Sequence, residues 1–563
     1  MSLSFDEAVK QVCAPGSLFE ITETVIRGTN TRVFVGTPPN LRFLYQMAAE
    51  REDEFVIYED ERWTMPQILE LSGKIGSALA NAFDIEKGDR VAIAMRNYPE
   101  WIAAFTAITS IGAVAVPLNA WWEPDELGFA INDSGAKVVF ADTERIQKLL
   151  ESSTDVSSLQ IVNVRSTPKE NDSSIPLEAL LKSESTMPEV QIDPDENATI
   201  LYTSGTTGTP KGAVSSHRAI LSALLGFSAR AQVAELVEPQ KNDSDKSPRN
   251  SFMLCVPLFH VTGLIPVMLG SFVGQSKLVM MHKWDPDRAL ELIENEDVTH
   301  FIGVPTMSWD LLEAETFNSR DTSSLRSVGG GGAPMPPELV KRIDENFQRG
   351  KPGLGYGMTE TNAYGPQNTG KEFLDHPTST GRPVPIMQLR VTDSSGKIVS
   401  AGEKGELWFN GPTIITEYWN RPEATAETIV DGWLRSGDIG HIDEDGRVFV
   451  SDRVKDMVLR GGENIYCAEV EATLYEISEV YECSVYGIPD ERLGEKVACH
   501  IMVRQGDSLN AEQVTAALQG QIASFKIPEV ITIVTDPLPR NASGKILKRE
   551  LRETVTNTSV ADI

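Results

Sequence analysis

"YTSGTTGTPKGA", residues 202–213, decides how the rest of the chain is read. Four threonines and two glycines precede Lys211, and a third glycine follows it. The apolar "ATILYTS" leads in and "SSHRAILSALLGF" leads out, so the pattern predicts strand, loop, helix. Glycines let a backbone approach phosphate oxygens, amides and hydroxyls donate to them, and a lysine supplies charge. The loop is therefore read as a phosphate holder. It is not the GxxxxGK[ST] type, because Pro210 precedes Lys211 and Gly212 follows it.

Upstream, "RVAIAM" from Arg90 reads as a buried strand, followed by a helix with Trp101, Phe105 and Ile108 on one face. "AVAVPLN" is a strand, "DELGFAIND" a helix and "KVVFAD" a third strand. Strands alternating with helices predict doubly wound, largely parallel α/β sheets. The first 45 residues show no periodicity, and Glu151 to Asn197 reads as a surface excursion. "EPQKNDSDKSPRN" (238–250) reads as a solvated loop. Downstream, a second α/β run covers about 200–357, and after Gly381 short alternating strands predict a small β-subdomain, about 381–452. A last unit of strands and helices follows, in which "AEVEATLYEI" and "AEQVTAALQGQIA" read as helices. The expectation is a large domain over 1–452 and a mobile α+β domain over 453–563.

A chain of 563 residues exceeds one core. The net charge of -30 works against nucleic acid and anionic membranes as partners. No run of about 18 apolar residues is present, so no membrane span is expected. The start lacks a secretory pattern and "TSVADI" is not a peroxisomal address. Cys13, Cys255, Cys467, Cys483 and Cys499 lack CxxC spacing, so neither a cysteine zinc site nor a disulfide framework is expected. A cytoplasmic location follows, and a homodimer is allowed.

Six stretches in order carry a resemblance. They are "YTSGTTGTPKG", "GGGAPMP" (330–336), "YGMTET" (356–361), "GWLRSGDIG" (432–440), "DRVKDMVLRGGENIYCAEVE" (452–471) and "PRNASGKILKREL" (539–551). Together they resemble the adenylate-forming superfamily of acyl-CoA synthetases, luciferases and peptide-synthetase adenylation domains. The resemblance implies that a carboxylate reacts with ATP to give acyl-AMP and pyrophosphate, and that CoA then takes the acyl group and releases AMP.

It also implies roles. Thr203, Ser204, Gly205, Thr206, Thr207 and Lys211 hold phosphates. Gly331, Gly332, Ala333 and Pro334, with Tyr356, Gly357, Met358 and Thr359, contact the adenine. Glu360, with Thr203, binds Mg²⁺. Asp438 accepts from the ribose hydroxyls beside Arg453, and Lys545 reaches the α-phosphate and carboxylate. Lys455 is the hinge, and Gly461, Gly462 and Glu463 line a CoA tunnel. His260, in "PLFHVTG", gates the acyl pocket or orients the carboxylate. A decoy, "GDSL" (506–509), resembles a carrier-protein or hydrolase serine; Ser508 is read instead as a cap or turn before the helix at "NAEQVTAAL". The reading is an AMP-forming acyl-CoA synthetase for an apolar fatty or aryl acid. An acyl-AMP ligase serving a separate carrier protein, a luciferase-like oxygenase and a nonenzymatic binding module are the alternatives.

Overall fold

The computed structural model describes residues 3–166, 173–181, 186–203, 210–239, 249–453, 455–461, 463–504, 506–541 and 544–561. Two eight-stranded sheets dominate it. In the first, the parallel strands Asn197–Thr203, Val114–Pro117, Arg90–Ala94, Val138–Ala141, Gln160–Asn163 and Ile175–Pro176 lie side by side. Lys211–Ser216 closes one edge antiparallel, with Glu417–Tyr418 outside it. In the second, Lys351–Gly355, Ser327–Gly331, His300–Gly303, Ser251–Leu254, Lys277–Met280 and Glu54–Tyr58 run parallel between two antiparallel edge strands.

One apolar core joins the two sheets through the helices between them. Helix Pro99–Ser110 is buried at every position but Glu100, not on the single face expected. A helix covered on all sides needs apolar residues all round, which a stripe pattern does not reveal. Helix His217–Val237, capped by the Ser216 hydroxyl, is long and apolar enough to cross a membrane by length and composition. More than half of its most apolar stretch is buried within the protein.

The first 45 residues are ordered into helix Phe5–Val12, hairpin Ile21–Ile26 with Thr29–Phe34, and the start of helix Leu41–Ala48. Each element has six or eight residues, about three strand repeats or two helical turns, too few for a period to stand out. Part of the expected excursion is internal, since Ile161, Val162 and Asn163 are buried within the first sheet. Residues 240–248 of the expected solvated loop lie outside the described residues.

A third sheet of five strands contains Gln388–Thr392, Gly405–Asn410, Trp433–Ile442, Ile429–Val430 and Val448–Arg453, matching the β-subdomain pattern. A fourth, also of five strands, is built on the long hairpin Val480–Asp490 with Gly494–Val503 and carries the helices Cys467–Leu474 and Ala511–Leu518. The second of these helices ends before the predicted Ala523, because Gln519 is extended and Gly520 takes a positive φ of 82°. Its cap is Asn510, whose side chain accepts from Gln513 N–H at 2.9 Å, so Ser508 does not cap it.

The terminal unit docks on the larger one. Tyr481 donates to Asp310 Oδ1 at 3.0 Å, and Arg504 pairs with Glu313. The guanidinium groups of Arg342 and Arg504 lie 4.8 and 5.3 Å from the centroid of the Trp309 ring. Near the junction, Cys467 N–H donates to Asp452 Oδ2 at 2.5 Å.

His217, the first residue of helix His217–Val237, ties that helix to the start of helix Leu41–Ala48. Its Nδ1 accepts from Leu41 N–H at 3.2 Å, and burial pushes its pKa down to about 4. An unfolded chain protonates its histidines near pH 6.5. The folded imidazole therefore stays neutral while the unfolded one gains a proton, and stability present above pH 6.5 is lost as pH falls towards 4. His217→Asn, which can still accept from Leu41 and does not titrate, should flatten the fall in urea-unfolding stability between pH 6.5 and 4. The reduction should approach about 1.4 kcal/mol per pH unit; an unchanged slope would show that His217 does not carry this acid sensitivity.

Candidate active site

The opening stretch folds as an antiparallel strand pair followed by the helix, not as strand, loop, helix. Thr203 pairs with Lys211 in register, and helix His217–Val237 starts only after the second strand. Gly212 is small for a reason, because a Cβ there would meet Ile200 Cγ2 at 2.6 Å. Ser204, Gly205, Thr206 and Thr207 lie outside the described residues. The described residues on either side are fixed by the strand pair, and Thr203 Oγ1 donates to Lys211 O at 3.4 Å.

Beside Lys211 runs the edge strand Glu417–Tyr418, with Ala213 opposite Tyr418. The Lys211 ammonium lies 5.4 Å from the centre of the Tyr418 ring. The Tyr418 hydroxyl donates to Glu360 Oε1 at 2.7 Å. Glu360 sits on the 3-10 turn Thr359–Thr361 and is 7% exposed, so it is not a surface carboxylate. Its carbonyl accepts from Ile415 N–H at 2.9 Å, which ties the turn to the segment leading to Tyr418.

Asp438 and Arg453 are cross-strand partners in the third sheet. The Arg453 Nε lies 3.5 Å from Asp438 Oδ1, and Tyr356 donates to Asp438 Oδ2 at 2.6 Å. Burial raises the Asp438 pKa, against the opposing pull of Arg453 and the Tyr356 hydrogen bond. Tyr356, Gly357, Met358 and Thr359 follow strand Lys351–Gly355 directly.

Lys545 and His260 meet in one small cavity, lined also by Val256, Val304, Gly331 and Gly332. Burial, and then the Arg453 charge, push the lysine's pKa down to about 8, against the pull of Asp438 and Glu360. Its place in the cavity sets it apart from a lysine on an open surface. Burial, and then the Lys545 charge, push the His260 pKa down to about 3. Its Nδ1 accepts from Thr262 N–H at 3.4 Å, so the neutral ring has its proton on Nε2. Ala333 and the exposed Pro334 continue the loop from Gly332.

The other expected residues stand apart from this cavity. Lys455 lies in an exposed turn after strand Val448–Arg453. Gly461, with a φ of 61°, and Glu463 are exposed on the hairpin that pairs Arg460 with Glu463, and Gly462 lies outside the described residues. Tyr418 escaped the sequence reading. It falls in a two-residue strand far along the chain from Lys211 and Glu360, and only its place beside a tryptophan in "TEYWN" set it off.

The chain is similar to known proteins over most of its length. The family model for AMP-binding enzymes matches residues 43–419, and that for the AMP-binding enzyme C-terminal domain matches 469–545. A feruloyl-CoA synthase of an Amycolatopsis species is 35% identical over 86% of this chain and 92% of its own length. A long-chain-fatty-acid–CoA ligase of Mycobacterium tuberculosis is 33% identical over 89% and 94%. Among solved structures, the o-succinylbenzoate CoA synthetase of Bacillus subtilis in complex with its acyl-adenylate superposes with a TM-score of 0.77 at 27% identity, covering 92% of this chain and 98% of that one. ATP-bound MatB from Rhodopseudomonas palustris gives 0.78 at 27%, covering 92% and 99%.

Gly331 and Gly332 line the cavity, and Gly330 precedes them on strand Ser327–Gly331. Gly330 pairs with Gly303 and Leu354 on either side, at a φ of 155°. A Cβ there would lie 1.8 Å from Gly303 O, a backbone atom that cannot swing away. Gly330→Ala should cost about 2–4 kcal/mol in urea unfolding. A cost below about 0.5 kcal/mol, within the ordinary surface range, would mean that the strands have room the structure does not show.

Proposed function

The chain belongs to the AMP-binding enzyme family and is an AMP-forming acyl-CoA ligase; from that premise we propose how its residues divide the work. The observation that carries the assignment is the Lys545 ammonium, delivered by the terminal unit into the cavity of His260 and influenced by Asp438 and Glu360.

In the first half-reaction the carboxylate oxygen attacks the α-phosphorus of ATP and pyrophosphate leaves. Two anions must meet, so positioning and cations supply most of the rate. Lys211, with Thr203, Ser204, Gly205, Thr206 and Thr207, holds the β- and γ-phosphates. Gly331, Gly332, Ala333 and Pro334 and the stretch from Tyr356 to Thr359 face the adenine. Asp438, set by Tyr356, accepts from the ribose hydroxyls, and Arg453 flanks it. Lys545 donates to the α-phosphate and the entering carboxylate. His260 is neutral and offers Nε2–H, so it orients a carboxylate by a hydrogen bond, not by charge.

Glu360 suits Mg²⁺. A buried carboxylate with one oxygen held by a tyrosine, next to a phosphate-holding lysine, fits a cation that takes few protein ligands and completes its shell with phosphate and water. Bound there with ATP, Mg²⁺ would neutralise phosphate charge. Thr203 supplies a second oxygen.

In the second half-reaction the CoA thiolate attacks the acyl carbonyl and AMP leaves. The chain divides into 1–452 and 453–563, and Lys455 is the joint. Rotation withdraws Lys545 and presents Gly461, Gly462 and Glu463 to the pantetheine. An apolar acid, aryl or fatty, is the substrate class; the feruloyl and long-chain relatives and the apolar Val256 and Val304 of the cavity support it. All five cysteines are free, which suits a reducing compartment, and we place the enzyme in the cytoplasm.

ATP, CoA and an apolar acid should give AMP and pyrophosphate; ADP and phosphate as products would overturn the scheme. Lys545→Ala should slow acyl-AMP formation by about 10²–10³-fold and spare transfer from supplied acyl-AMP. Equal losses in a folded variant would remove Lys545 from its place. The ammonium is charged below pH 8 and lost above it, so kcat/KM for acyl-AMP formation should fall on the alkaline side with a midpoint near 8, the free-enzyme value. Lys545→Arg, always charged, should abolish that limb while any residual activity lasts.

A further inference from the structure

Tyr418 joins the two charged groups of the phosphate end of the site. The edge strand that carries it is held from several sides: Thr416 N–H donates to Val214 O at 2.8 Å, Trp419 N–H to Gly212 O at 2.7 Å, and Tyr418 N–H to Thr425 Oγ1 at 2.9 Å. The ring therefore has a fixed place, with Lys211 against it and Glu360 at its hydroxyl. Tyr418 and Glu360 are each 7% exposed, so water competes weakly for the bond between them. Burial and the Glu360 carboxylate raise the phenol's pKa, which keeps the hydroxyl a donor.

We propose that Tyr418 is a positioning residue: its hydroxyl holds Glu360 in the orientation that receives a divalent cation carried by ATP, from the same strand pair that places Lys211. The proposal rests on the reading of Glu360 as a cation ligand. With Oε1 committed to Tyr418, Oε2 is the oxygen left for the cation. A glutamate without this support would divide its time among several rotamers, and each visit away from the site removes a ligand. Partners that orient a metal ligand typically contribute about 10–100-fold in metal affinity.

Tyr418→Phe removes the hydroxyl and keeps the ring under Lys211. The readout is Mn²⁺ binding to the enzyme–ATP complex, followed by electron paramagnetic resonance with no acid or CoA present, so that no turnover occurs. Metal-free ATP binding is measured alongside in EDTA. Tyr418→Phe should weaken Mn²⁺ binding about 10–100-fold and leave metal-free ATP binding unchanged. Glu360→Gln should weaken Mn²⁺ at least as much, and Glu360→Gln/Tyr418→Phe no more than Glu360→Gln alone.

A lowered melting temperature in Tyr418→Phe with unchanged Mn²⁺ affinity would overturn the proposal, since the bond would then be structural only. Equal losses of Mn²⁺ and of metal-free ATP binding would also overturn it, because the tyrosine would then act on the whole phosphate site. If Glu360→Gln keeps full Mn²⁺ affinity, the cation reading of Glu360 fails, and the proposal with it. Should Tyr418→Phe fail to fold, 4-fluorophenylalanine in place of Tyr418 fills the hydroxyl's space without donating: weakened Mn²⁺ binding with unchanged metal-free ATP binding supports the proposal, and unchanged Mn²⁺ affinity overturns it.

Discussion

The site depends on one ammonium group placed by a separate unit of the fold. Lys545 gives up hydration to enter the cavity, and the loss shows in a pKa held down to about 8. Asp438 and Glu360 repay part of that cost from the larger unit, and Arg453 works against them. The balance leaves a lysine that is charged near neutral pH yet poorly solvated, and such a cation interacts strongly with an anion brought beside it. The contacts of Tyr481 with Asp310, and of Arg504 with Glu313 and Trp309, hold the unit that delivers it.

The net charge of -30 makes anionic substrates look improbable until distance is considered. At physiological salt, exposed charges are screened over about 8 Å, so most of the acidic surface has little reach into the cavity. Lys211, Arg453 and Lys545, from three separate parts of the chain, are the cations proposed to act at contact range. Global charge governs solubility and encounter; the local arrangement governs what is held.

Much of this was legible in the sequence, where a pattern was long or a motif carried its own chemistry. The buried parallel strands, the β-subdomain and the residues that meet at Lys545 are of this kind. The failures have physical reasons. The strand Lys211–Ser216 was divided between the loop before it and the helix after it, since six residues with a glycine and two serines show no clear alternation. The first 45 residues hold elements too short to show a period. Ser508 was read as a cap or turn residue, and the cap is Asn510, because both residue types suit that role and only geometry separates them. Tyr418 matters through what surrounds it in space, and Lys211 and Glu360 are distant from it in the chain.

The hydrogen bond from Cys467 N–H to Asp452 Oδ2 straddles Lys455. Asp452 belongs to a strand of the third sheet, and Cys467 starts a helix of the fourth. If the chain pivots at Lys455, as proposed, the motion must pull this pair apart. The joint would then have a detent, resisting the first few degrees of motion with a definite bond and running free once that bond has opened.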